Sequence, residues 1–92
     1  MTTDQLDTIR LDAVALVTRL ALRLRTERPT EPMRDGTRLA LLLRFSEARC
    51  GYGTARAEHA ERAARDLAPR VDRDITRGEY ALLLDQVIGG AR

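Results

Sequence analysis

The chain has 92 residues, 43% apolar and 33% charged, which describes one small globular domain rather than a disordered segment. A single cysteine, Cys50, excludes an internal disulfide and a cysteine-rich zinc site. The formal charge is only +2, so nothing in the overall balance demands a nucleic-acid partner.

All sixteen basic residues are Arg, a bias that a GC-rich coding sequence explains as well as selection for planar hydrogen bonding. With one Phe, two Tyr and no Trp, the core must be aliphatic. No apolar run is long enough to span a membrane, and the N-terminus lacks a basic-then-apolar signal pattern, so the expected setting is cytoplasmic, away from membranes.

The first element is the organising one. Leu6, Ile9, Ala13, Leu16, Val17, Leu20 and Leu24 fall on one broad face at 100° per residue, which predicts a helix over about residues 4–28. Thr3 or Asp4 is the expected cap, and Pro29 and Pro32 end the run. Leu11, Val14, Ala21 and Leu22 carry apolar surface well round the cylinder, leaving a narrow polar strip of Gln5, Thr8, Asp12, Arg19 and Arg23. A helix this apolar sits at the centre of a bundle or is covered in part by another chain.

After the Arg28–Asp35 linker, residues 35–50 read as a second helix with two apolar faces, Leu39/Leu42/Leu43/Ser46/Cys50 and Leu41/Phe45/Ala48. Gly51-Tyr52-Gly53 is a turn. Thr54 caps a third, Ala-rich helix over 54–68, whose face is Ala57, Ala60, Ala64, Leu67 and Ala68. Thr76 and Glu79 form a capping box for a fourth helix over 77–89, with the stripe Tyr80, Leu83, Leu84, Val87 and Ile88 and a stop at Gly89-Gly90. The fold class is therefore all-α: a single domain, 1–92, shaped like a small four-helix bundle with its first helix central.

Chemistry finds little purchase. Gly51-Tyr52-Gly53 follows a helix and lacks the rest of a phosphate fingerprint. Asp72 and Asp74 are similar to the opening of a calcium loop, but the required glycine and closing glutamate are missing at that spacing, and an Asp-rich turn accounts for them. Cys50 at a helix C-terminus is not activated, and nothing places His59, the only histidine, beside it. No catalytic residue, metal ligand or cofactor site is assigned.

Two short pieces resemble a known family. Leu6-Asp7-Thr8-Ile9-Arg10 and Pro32-Met33-Arg34-Asp35 resemble segments of short all-helical chorismate mutases, which gather Arg, Lys and Gln around a dianionic substrate. The first helix is shorter than that family's, Asp35 stands in place of Glu, and there is no Lys, so the family is not assigned.

The expected function is a non-enzymatic protein-interaction or regulatory module, acting by homo-oligomer formation or by docking a partner helix through Leu11, Val14, Leu22, Leu41 and Phe45. The alternative is a DNA-binding regulator, or a small subunit of a nucleic-acid complex. It would use Arg19, Arg23, Arg25, Arg28, Arg34 and Arg38, six arginines within twenty residues against Glu27, Glu31 and Asp35.

Overall fold

The computed structural model describes residues 1–91. It contains four helices: α1 (Thr3–Thr26), α2 (Asp35–Cys50), α3 (Ala55–Leu67) and α4 (Arg77–Ala91). α1 packs against all three others, and α2 also packs on α3. Leu16, Val17, Leu20, Ala21 and Leu24 of α1 are buried and meet Leu42 and Phe45, Ala60 and Ala64, and Tyr80, Ala81, Leu84 and Ile88 from the other helices. The bundle is all-α with α1 at its centre, as the periodicity predicts.

Each helix end has a local cause. α1 begins one residue earlier than expected, because Thr2 is the cap. Its hydroxyl accepts the Gln5 N–H at 3.2 Å, and the Gln5 side chain accepts the Thr2 N–H at 2.7 Å. α1 stops at Thr26, two residues short of the expected end. Glu27 turns extended, and Arg28 takes φ +50°, a left-handed conformation that glycine adopts at less cost. Thr54 caps α3 by accepting the Ala57 N–H at 3.1 Å. Thr76 and Glu79 make the expected capping box for α4, at 3.0 and 3.1 Å. α4 does not stop at Gly89-Gly90; it continues to Ala91.

The two linkers that join helix pairs meet each other. Met33 N donates to Ile75 O and Arg77 N to Glu31 O, both at 2.8 Å, forming an antiparallel bridge centred on Pro32 and Thr76. Gly78 N donates to Pro29 O at 2.8 Å, and a Cβ on residue 78 would stand 3.2 Å from that oxygen, so the close approach calls for glycine.

Two arginines with buried side chains finish the helix ends. Arg38, near the start of α2, donates to Arg65 O at 3.1 Å and Ala68 O at 3.2 Å, satisfying carbonyls at the end of α3. Its other nitrogens hold Asp35 at 2.8 and 3.5 Å, and Asp35 also accepts the Val71 N–H at 3.0 Å. Those bonds, Arg38's first, keep the Asp35 carboxyl below its ordinary pKa. Arg77, at the start of α4, donates to Glu27 O at 3.0 Å where α1 ends. Tyr80 OH donates to Pro69 O, and burial pushes that phenol up to about 12.

α2 differs from its expected form. It buries one stripe, Arg38, Leu41, Leu42, Phe45 and Ser46, while Leu39, Leu43 and Ala48 face outward. The apolar pattern alone points to two faces because the true stripe contains a charge and a hydroxyl. Both are satisfied internally, Ser46 by donating to Leu43 O at 2.7 Å.

Replacing Arg38 with Met strands two carbonyls and Asp35. The Arg38→Met variant is expected to lose roughly 2–4 kcal/mol of stability, read as a lower urea midpoint at unchanged slope.

Candidate interaction surface

The outer face of α1 carries Asp7, Leu11, Ala15, Thr18, Leu22 and Arg25, spaced by four, four, three, four and three residues. Leu11 is 68% exposed and Leu22 57%, although both lie on the helix that supplies the centre of the core. Three threonines on this side do little to make it polar. Thr8, Thr18 and Thr26 turn their hydroxyls back onto the carbonyls of Asp4, Val14 and Leu22 at 3.0, 2.7 and 2.8 Å. Their methyl groups are what remains for a neighbour.

The five residues expected at an interface do not stay together. Leu11 and Leu22 are on the open face, and Val14 is half-buried against the core. Leu41 (8% exposed) and Phe45 (3%) are core residues of the chain itself, because the buried stripe of α2 runs through them. Other exposed apolar side chains, among them Leu39, Leu43, Tyr52 and Leu82, are spread over the turn and the other helices. Scattered singles of this kind are ordinary.

The arginine tract is dispersed as well. The Arg19 guanidinium lies over the Phe45 ring, 4.4 Å from its centroid, and Arg23 lies 5.7 Å from it. Arg23 also pairs with Glu27 at 3.3 Å, Arg25 with Asp85 at 2.8 Å and Arg28 with Glu31 at 3.6 Å. Arg38 is spent on the end of α3. Of the six, Arg34 alone makes no ion pair or ring contact among the described residues.

Asp12, read from the sequence as part of the polar strip, is 1% exposed. It accepts from Arg49 of α2 at 2.9 Å and from Arg56 of α3 at 2.9 and 3.0 Å. The Cys50 thiol donates to the same carboxylate at 3.6 Å. The Arg56 hydrogen bonds lead in holding Asp12 below its ordinary pKa of 3.8, Arg49 adds to them, and together they outweigh the upward push of burial. Burial first, and the Asp12 charge second, raise the Cys50 thiol, which leaves it a poor nucleophile. His59 lies elsewhere, lining a shallow groove with Asp4, Thr8 and Ile9.

Among the described residues, the pieces that suggested a metal or a dianionic substrate do not come together. No cluster of three or more His, Cys, Asp or Glu side chains able to hold a metal occurs among the described residues. With Asp72 and Asp74 as the first and third positions of a twelve-residue calcium loop, the sixth and twelfth are Arg77 and Leu83, not glycine and glutamate. Glu79 itself caps Thr76. Arg10 and Arg34, the arginines of the chorismate-mutase resemblance, are separated by most of the length of α1, about 24 Å from Arg10 to its end. No protein-family model, curated protein or solved structure matches the chain, so the face of α1 stands on its geometry. No helix among the described residues is long and apolar enough to cross a membrane.

The Asp12 cluster has a pH signature. A lowered folded pKa contributes stability that is fully present above the ordinary value of 3.8 and is lost as the pH falls through the folded value. Asp12→Asn is expected to cost roughly 2–4 kcal/mol at neutral pH. Its urea midpoint should then converge on that of the wild type as the solution is taken below the ordinary carboxylate range.

Proposed function

We propose that this chain is a non-enzymatic protein-interaction module that presents the outer face of α1 to another helix. One observation carries the reading. Leu11 and Leu22 stand exposed three turns apart on a face whose hydroxyls are turned inward, on the helix that all other elements pack against. An aliphatic stripe on a rigid, centrally held helix is a natural helix-docking surface, because anchors fixed by the fold lose little entropy on binding. The remaining polar chemistry supports the same reading. The buried Asp12, Arg38 and Arg77 side chains are engaged in holding helices together.

A photo-activatable residue in place of Leu22, expressed in the native host, is expected to give discrete cross-linked species of higher mass. The same residue at Asp66, an exposed position of α3, should give none. Equal, diffuse labelling from both sites would sink the reading.

The DNA-regulator alternative receives less support, since five of the six arginines already face acids, carbonyls or the Phe45 ring. Fluorescence anisotropy of a labelled random duplex is expected to show no binding at low or near-physiological salt. Micromolar affinity that collapses as salt rises would reverse the preference.

A further inference from the structure

We propose that the seam between α1 and α2 is a docking strip for an acidic helix of another protein, one whose carboxylates stand in line along one side; this goes beyond the reading of the leucine face, because it rests on charges that the leucines do not share.

Four guanidiniums gather at the seam. Arg49 and Arg56 close on Asp12 at one end. Two and three turns further along α1, Arg19 and Arg23 lie at the ring of Phe45, which sits one turn before Arg49 on α2. The carboxylates paired with these four among the described residues are Asp12 and Glu27, so two positive charges are left over. Arg25, Arg28 and Arg38 differ, since each is matched by an acid of its own. Asp12 has no capacity for the surplus: it is buried, and both its oxygens already accept hydrogen bonds.

The surplus charge comes with unspent donors. Arg49 gives Asp12 only its Nε, Arg56 gives it Nε and one terminal nitrogen, and Arg23 gives one terminal nitrogen to Glu27. Arg19 has no acid within ion-pair reach among the described residues. Its contact with Phe45 uses the face of the guanidinium and leaves the N–H edge for a carboxylate. The ring also holds this exposed side chain in place before a partner arrives, which lowers the ordering cost of binding.

Spacing names the partner. Asp12, Arg19 and Arg23 follow one another by seven and four residues, which sets them on one line of α1 about 16 Å long. Carboxylates seven and four residues apart on a second helix form a line of the same length, so a helix laid along the seam meets the guanidiniums at each level. Ala15, between Asp12 and Arg19, is small and lets it approach. A nucleic-acid duplex fits less well, because its affinity comes from neutralising many phosphates at once, and two surplus charges on one strip do not supply that.

Fluorescence anisotropy with two labelled, alanine-based helical peptides tests the strip. One carries three glutamates spaced by seven and four residues, and its isomer spreads the same three round the helix. The first is expected to bind roughly tenfold tighter than the second at low salt. Arg19→Gln, an exposed change whose fold is checked by its urea midpoint, should remove most of that preference, and Arg23→Gln reads the same strip a second time. Arg10→Gln, half a circumference away from Arg19 on α1, should leave it intact. Equal binding of the two peptides, no binding of the first, or a preference that survives in Arg19→Gln would overturn the proposal. So would binding of the random duplex in place of the peptides, which would mark a general polyanion site. Host cross-links from Leu22 depend on none of these results, so the leucine-face reading stands or falls separately.

Discussion

The carboxylate of Asp12 is a full negative charge seated where three helices converge, and their arrangement depends on neutralising it. A buried ion left alone costs several kcal/mol. Here α2 brings Arg49 and α3 brings Arg56, and both guanidiniums reach Asp12 from positions that stay half in water. The arrangement spares the arginines most of their own desolvation while still pairing the buried acid. It also fixes the depth at which α2 and α3 sit along α1. Sliding either helix by one turn would remove a guanidinium from the carboxylate, whereas aliphatic contacts alone tolerate such a shift far better.

Arginine's shape suits the other polar tasks in this core. Arg38 uses its fork to hold Asp35 and, through the remaining nitrogen, two carbonyls at the end of α3. A lysine in its place would present one small charge to targets lying in different directions. The absence of lysine from the chain, whatever its genomic origin, therefore has a structural use at these positions.

Much of the fold was legible in the sequence. The long apolar stripe of α1, the Thr54 and Thr76 caps and the Ala face of α3 are local signals, and each helix lies within a few residues of its expected span. The failures share one physical source. Arg38 and Asp12 are buried because distant parts of the chain supply hydrogen-bond partners for them, and periodicity assigns such residues to the solvent side. The pattern then reads Leu39 and Leu43 as core together with Ser46, and leaves Arg38 on a flank. The interface residues divided for the same reason: once α2 turns its 38/41/42/45/46 stripe inward, Leu41 and Phe45 go with it, and Leu11 and Leu22 remain outside. Arg19 and Arg23 looked like free charges because no local rule joins them to Phe45, some twenty residues away in sequence.

The helix ends contain a reciprocity. α1 and α2 form one half of the chain, α3 and α4 the other. Arg38 of the first half closes α3 of the second, Arg77 of the second closes α1 of the first, and the bridge between Pro32 and Thr76 ties the two linkers. Neither half holds all the groups needed to finish its own first helix. Cut at the Gly51-Tyr52-Gly53 turn, each fragment would keep frayed ends and an uncovered apolar face. The two halves are thus one cooperative folding unit, and partial opening at one linker loosens the opposite half as well.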